Sequence, residues 1–142
     1  MRYLGLDLGT KTLGIAITDK TRTLASFLKV FHFKSEDYEA AASEVLKLLN
    51  DYEISKIALG LPKNMDNSCG FASTRSIEFK KLLEKKTEVP IFLVDERLTT
   101  VEAENILLTS DLSRKKRKKV IDGLSAQIIL DTFLRMEENK HE

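Results

Sequence analysis

The sequence has little of the chemistry that small proteins use for disulfides, zinc sites or histidine-based hydrolysis. There is one cysteine, Cys69, so no disulfide can form within the chain. The two histidines, His32 and His141, show no zinc-type spacing, and neither lies beside an obvious nucleophile. We therefore expect neither a structural zinc site nor a catalytic histidine.

Long apolar segments are also missing. No hydrophobic run approaches the ~20 residues that span a membrane, and residues 1–6 lack a signal-peptide pattern. Hydrophobic residues make up 42% and charged residues 32% of the 142 residues, which is the balance of an ordinary globular domain. We expect a single domain over residues 1–142, located in the cytoplasm and without a membrane partner.

Positive charge is concentrated in one short segment. The chain carries 23 basic and 22 acidic side chains. Six of the basic ones follow one another and form the basic segment: Arg114, Lys115, Lys116, Arg117, Lys118 and Lys119. Taking these six from 23 leaves 17 basic residues against 22 acidic ones. The concentration favours a local contact with a polyanion, although a solvated loop before the last helix is the common alternative.

The pattern of apolar residues predicts an α/β fold. Alternating or continuous apolar runs predict strands at residues 3–8, 13–18, 24–33, 56–61 and 91–94. Helical periodicity predicts helices at about 36–50, 72–86, 100–108 and 120–138. Because three strands come first and β-α alternation follows, we expect a mixed five-stranded sheet, antiparallel and then parallel, with helices on both faces.

Two local features of these elements can be predicted. Ser35 is the expected N-cap of the first helix, because its hydroxyl can accept from a free backbone N–H there. Phe27, Phe31 and Phe33 alternate along the third strand and should share one side of it. One-sided core packing is the expected role of these rings, in preference to a platform for stacking bases.

Asp7 is an acid inside an apolar strand. Gly5 beside it leaves space, and an ionised carboxylate at such a position needs a partner, a cation or water. Hydrogen bonds to the turn at Gly9 and Thr10 would account for Asp7 equally well.

Further acids lie at the ends of two other elements. Asp95 and Glu96 follow a predicted buried strand, and ligand sites collect at the carboxyl ends of parallel strands. Arg97 could pair with one of them. Asp122 lies near the start of the last helix, where the helix dipole alone favours an acid. Three such carboxylates are also what two Mg²⁺ or Mn²⁺ ions need for phosphodiester hydrolysis.

Four blocks of sequence, in this order, resemble the YqgF-type family, which is described as pre-16S ribosomal RNA nucleases and also as Holliday-junction-resolvase-like proteins. The blocks cover essentially the whole chain. They are Asp-Leu-Gly-Thr-Lys at 7–11 with Gly-Ile-Ala at 14–16, Gly-Leu-Pro at 60–62 with Asn-Met-Asp at 64–66, Asp-Glu-Arg-Leu-Thr-Thr-Val-Glu-Ala at 95–103, and Asp122 with Ala-Gln-Ile-Ile-Leu at 126–130.

The resemblance implies a ribonuclease H-like fold and a catalytic, metal-binding triad of Asp7, Glu96 and Asp122. Asp95 is kept as an alternative to Glu96, since strand alternation lets only one of the two face the site. Lys11, Arg97 and the basic segment are the expected phosphate contacts, and a monomer or weak homodimer is the expected state.

The resemblance favours a metal-dependent endonuclease that processes the 5′ end of precursor 16S rRNA. A resolvase of DNA junctions is the closest alternative, since nothing in the residues separates RNA from DNA. A nucleotide-binding module is an alternative from another class of function, because residues 6–10 with Gly14 resemble the phosphate loop of sugar kinases and actin. Those proteins enclose ATP between two such domains, and 142 residues supply one. A non-catalytic scaffold remains a further alternative.

Overall fold

The computed structural model describes residues 1–61, 71–95 and 114–139, without the side chains of 71–73, 114–123, 138 and 139. The strands of this part are β1 (Arg2–Leu8), β2 (Thr12–Thr18), β3 (Ala25–His32), β4 (Ile54–Leu61) and β5 (Ile91–Asp95). Its helices are α1 (Tyr38–Asp51), α2 (Phe71–Glu84) and α3 (Arg114–Asn139). The predicted loop at 63–70 and the predicted helix at 100–108 lie outside the described residues.

The strands form one mixed sheet in the order β3-β2-β1-β4-β5. β1 pairs with β2, and β2 with β3, in antiparallel orientation, whereas β1 with β4 and β4 with β5 are parallel. This confirms the predicted sheet. The parallel pairs arise because each crossover between these strands carries a helix back across the sheet.

Helices cover both faces of the sheet, as predicted. Apolar residues of α1 and α2 pack on one face, including Ala41, Ala42, Val45, Leu48, Phe79 and Leu83. α3 covers the other face with Ala126, Ile129, Leu130, Phe133 and Leu134. Of the described helices, none is long and apolar enough to cross a membrane.

The first helix begins later than predicted. Asp37 is its N-cap, and the Asp37 carboxylate accepts from the Ala40 N–H at 3.3 Å. The Asp37 N–H in turn donates to the Lys34 carbonyl at 2.9 Å. This closes a tight turn that contains Ser35, with Glu36 in the left-handed region at φ 62°. The prediction of Ser35 as the cap is therefore wrong, because the chain is still turning at that residue.

The last helix begins earlier than predicted. α3 starts at Arg114, so the basic segment is its first six residues and does not precede the helix. Lys and Arg have good helix propensities, and repulsion between like charges on a helix costs only a few tenths of a kcal/mol per pair. Asp122 is consequently the ninth residue of α3. The helix dipole favours an acid only within the first turn, and Asp122 lies beyond that turn.

The phenylalanines of β3 do not share one face. The pairing of β2 with β3 shifts register between Ile15 and Ala16, which places one extra residue in β3. Phe31 and Phe33 pack against the core beneath α1 as predicted. Phe27 lies opposite Ala16, a residue of the core beneath α3, and is 49% exposed. The prediction for Phe27 is wrong because a bulge reverses the alternation.

The C-terminal part of α3 is fixed to the sheet by a charged contact. Lys56 Nζ donates to Glu137 Oε2 at 2.6 Å, and the same nitrogen lies 5.6 Å from the ring centres of Tyr3 and Phe92. The hydrogen bond to Glu137 raises the pKa of Lys56 above its ordinary value. This contact and the packing of Phe133 hold α3 along the sheet and so orient the rest of the helix.

Candidate active site

Asp7 lies on the face of β1 that α3 covers. Tyr3, Gly5 and Asp7 alternate along β1 on one face. The Tyr3 ring centre lies 5.5 Å from that of Phe133 in α3, which identifies the face. Asp7 is partly buried and lies opposite Gly14 of β2.

Gly5 lets the helix approach the strand closely. A Cβ built on Gly5 would lie 2.7 Å from Leu130 Cβ and 3.0 Å from the Ala126 carbonyl oxygen. A side chain at this position would require Leu130 or the backbone at Ala126 to shift. The space that Gly5 was expected to leave beside Asp7 is therefore filled by α3, and the glycine brings a helix rather than a ligand against β1.

Asp95 lies on the opposite face of the sheet. The Phe92 ring stacks on Phe133 at 5.3 Å, and Val94 belongs to the core beneath α3. Leu93 packs on the side of α1 and α2, and Asp95, the last residue of β5, shares its face by alternation. The structure therefore separates Asp95 from Asp7.

The other acids of the predicted triad are described less completely. Asp122 lies in the backbone of α3, but its side chain is outside the described residues. Glu96 and Arg97 are outside them altogether. Among the side chains that the structure describes, no group of three or more His, Cys, Asp and Glu residues could hold a metal ion.

The turn after β1 carries the first predicted phosphate contact. The Gly9 N–H donates to the Thr12 carbonyl at 2.7 Å, which closes the turn and leaves Lys11 exposed at its tip. The Phe33 N–H donates to the Lys11 carbonyl at 2.9 Å. The backbone of Lys11 is thus fixed, while its side chain is accessible to a substrate phosphate.

Comparisons with known proteins identify the family of the chain. The model of the family described as RuvX, Holliday junction resolvase, matches residues 1–136. A Bacillus subtilis (strain 168) protein named "Putative pre-16S rRNA nuclease" is 46% identical over 134 residues, covering 94% of this chain and 97% of its own. A Natranaerobius thermophilus protein of the same name is 45% identical over 141 residues, covering 99% of each.

Two resolvases are among the solved structures that share this fold. T. thermophilus RuvC in complex with a Holliday junction substrate superposes with a TM-score of 0.62 at 16% identity, covering 96% of both chains. The fowlpox virus Holliday junction resolvase gives a TM-score of 0.57 at 16% identity, covering 96% of this chain and 99% of the other. At these identities the likeness shows the fold alone, and it confirms the predicted ribonuclease H-like class.

Proposed function

Because the chain belongs to the RuvX family of Holliday junction resolvases, we propose that it is a single-domain, metal-dependent endonuclease that hydrolyses phosphodiester bonds in precursor 16S rRNA. The position of Asp7 carries the proposal, since the carboxylate lies near the carboxyl end of β1 on the face covered by α3. The names of the relatives support precursor rRNA as the substrate. Ribosomal RNA matures in the bacterial cytoplasm, so we propose that the chain acts there.

The direction of α3 supports Asp122 as a second acid of the site. Tyr3 contacts Phe133, and Gly5 contacts Leu130 and Ala126, so residues further along β1 meet earlier residues of α3. Asp7 lies two residues, or about 7 Å, beyond Gly5. Asp122 lies four residues, or about 6 Å, before Ala126. Both steps lead in the same direction, so the two acids are expected at one end of the helix–sheet contact.

The alternation of β5 supports Glu96 rather than Asp95 as the third acid. Phe92 and Val94 face α3, and Asp95 faces away from it. A chain that stayed extended for one more residue would bring Glu96 to the α3 face. Asp7 and the end of β5 also lie at the same sheet edge, because β1, β4 and β5 are parallel.

Three carboxylates fit the ligand preference of Mg²⁺ or Mn²⁺. Both ions favour oxygen donors, and this donor set contains neither sulfur nor imidazole. Two bound ions would supply an activated water and stabilise the leaving oxygen. In this proposal Asp7 contributes its charge from the rigid centre of the sheet, and Asp122 contributes from a helix whose distance to β1 is fixed at Gly5.

The basic segment is proposed to contribute affinity rather than chemistry. Residues 114–119 form the first turns of the helix that carries Asp122, so phosphates bound there would adjoin the site. Arg97 and Lys11 would add contacts close to the acids. Neutralising phosphates releases counterions, and binding through these residues should weaken as salt rises.

Changing Lys115, Lys116, Lys118 and Lys119 to Ala is expected to raise the half-saturating substrate concentration severalfold and to flatten its salt dependence. The saturated rate should change much less, because uniform binding lowers KM without assisting the chemical step. Alanine has the best helix propensity, so α3 should persist. Cleavage titrations at two salt concentrations measure both effects. An unchanged half-saturation and salt slope would contradict a role in substrate binding.

A DNA four-way junction is the second candidate substrate, favoured by the description of the matching family. The two substrates are distinguished by measuring cleavage of a precursor 16S rRNA fragment and of a four-way junction by the same preparation at equal metal concentration. The proposal predicts faster cleavage of the RNA. Exclusive cleavage of the junction would replace it with the resolvase assignment.

A further inference from the structure

An open groove of about 520 Å³ lies between the end of β3 and the start of α1. It is lined by Phe31, His32, Phe33, Lys34, Asp37 and Ala40. We call it the β3–α1 groove. It is open to solvent, and Asp7 is not among the described residues that line it.

Two aromatic rings form the apolar part of the groove. The ring centres of Phe31 and Phe33 are 6.2 Å apart with their planes within 25° of parallel. Tyr38 contacts Phe33 edge-on at 6.0 Å. These rings pack against the core on one side but remain only partly buried. A partly exposed aromatic ring can stack against an unpaired base, since every base presents a π-face.

The groove is joined directly to the turn that follows Asp7. The Phe33 N–H donates to the Lys11 carbonyl at 2.9 Å, and the Glu36 N–H donates to the Thr10 carbonyl at 2.8 Å. The second bond accompanies the left-handed conformation of Glu36, at φ 62°. A non-glycine residue keeps such a conformation only where its surroundings fix it. Two backbone hydrogen bonds therefore join the groove to this turn.

The groove lies on the α1 face of the sheet and Asp7 on the α3 face, but both lie at the same end of the sheet. A nucleic-acid strand that passes around the turn at Thr10 and Lys11 could reach both. Asp7 pairs with Gly14 in β2, and Gly14 pairs with Val30 in β3. Two strand spacings separate Asp7 from Val30, or about 10 Å, and His32 at the groove follows two residues later. A few nucleotides of extended strand cover this distance.

The charges around the groove favour a base over an isolated phosphate. Lys34 is exposed at the rim, but Glu36 and Asp37 lie beside it and outweigh its charge. The Asp37 carboxylate is also engaged by the Ala40 N–H. Attraction for an anion is therefore weak, and aromatic stacking is the larger interaction that the groove offers.

We propose that the β3–α1 groove binds an unpaired nucleobase of the substrate strand, stacked on Phe33, with Lys34 contacting the adjoining phosphate. This rests on the proposed function in that it takes the substrate to be a nucleic acid. It adds that the enzyme selects sites with an unpaired nucleotide near the scissile bond.

The test is the affinity of the full chain for a short unstructured oligouridine in EDTA, where no cleavage occurs. Phe33→Leu should bind about tenfold more weakly, as expected when one stacked base is lost. Phe27→Leu is the matched control, because Phe27 is an exposed ring of β3 outside the groove. Phe33→Trp keeps an aromatic face and should retain the affinity, which excludes misfolding as the cause of the loss.

Two further probes distinguish the base from its phosphate. An oligomer of the same length with abasic positions should bind wild type and Phe33→Leu equally. Lys34→Ala should weaken binding of both oligomers more than Lys47→Ala, which removes an exposed lysine of α1 that does not line the groove. Equal affinities of Phe33→Leu and Phe27→Leu, or an equal loss on the abasic oligomer, would overturn the proposal. Either result could accompany normal metal-dependent cleavage and would leave the proposed function standing.

Discussion

Asp7→Asn is expected to leave the protein folded and to lower the cleavage rate at saturating metal by about 1,000-fold or more. Asparagine keeps the size of the side chain but loses the charge that holds a divalent cation. Metal assistance contributes several kcal/mol to hydrolysis, and each 1.36 kcal/mol corresponds to a factor of ten in rate. The measurement is single-turnover cleavage of precursor 16S rRNA, with circular dichroism to confirm the fold.

Asp131→Asn is the matched control for that variant. Asp131 is an exposed acid of α3 that pairs with Arg135 at 2.6 Å, and it lies nine residues, or about 13 Å, after Asp122. Its replacement removes the same charge outside the proposed site, and an exposed ion pair on a helix stabilises by only a few tenths of a kcal/mol. Normal cleavage by Asp7→Asn, or an equal loss in Asp131→Asn, would contradict the role assigned to Asp7.

Gly5→Val is expected to produce the second-largest loss, through the position of α3. The added Cβ alone would lie 2.7 Å from Leu130 Cβ and 3.0 Å from the Ala126 carbonyl oxygen. Overpacking of this kind typically costs about 1–3 kcal/mol, so Gly5→Ala should be destabilised by that amount and Gly5→Val by more. Because α3 must move away from β1, the folded variant should also cleave about 100-fold more slowly, as expected for a displacement of about 1 Å in a catalytic group.

Leu48→Ala distinguishes a displaced helix from general instability. Leu48 is a buried residue of α1 on the other face of the sheet, and its truncation should cost about 2–5 kcal/mol. Denaturant midpoints give the stabilities, and cleavage is compared at temperatures where each variant is folded. We expect Leu48→Ala to cleave normally when folded. If Gly5→Val also does so, the contact between β1 and α3 does not position the site.

The sheet could be predicted from the sequence because its apolar pattern has few alternatives. Three leading strands followed by β-α alternation leave few ways to close a sheet, and the observed order follows from them. The exposure of Phe27 could not be predicted in this way. Its exposure depends on one extra residue in the pairing of β3 with β2, and no local pattern in the sequence marks that bulge.

The start of α3 shows another limit of local pattern. The basic segment has no apolar stripe, so periodicity placed the helix start after it, although its residues favour helix well enough to continue the helix. Ser35 and Asp37 are both good N-cap residues. Which of them caps α1 depends on the turn that the fold imposes at Glu36.

The candidate site could be predicted in part. Asp7 was identified from its place in an apolar strand, and the structure adds which face of the sheet it lies on. The sequence alone does not decide which side chains of β5 lie on the α3 face. The packing of Phe92 and Val94 against α3 identifies that face. The expectation of open space at Gly5 is wrong, because a glycine in a strand indicates a close approach without identifying what approaches.

Cleavage rates of the single variants Asp7→Asn, Glu96→Gln and Asp122→Asn, compared with the triple variant, test the central claim that three acids form one metal site. Residues that act as a unit are strongly non-additive. We therefore expect each single variant to lose about as much activity on precursor 16S rRNA as the triple variant, and wild type to cleave with Mg²⁺ or Mn²⁺ but not in EDTA. Wild-type cleavage in EDTA, or losses that multiply from variant to variant, would contradict a shared metal site.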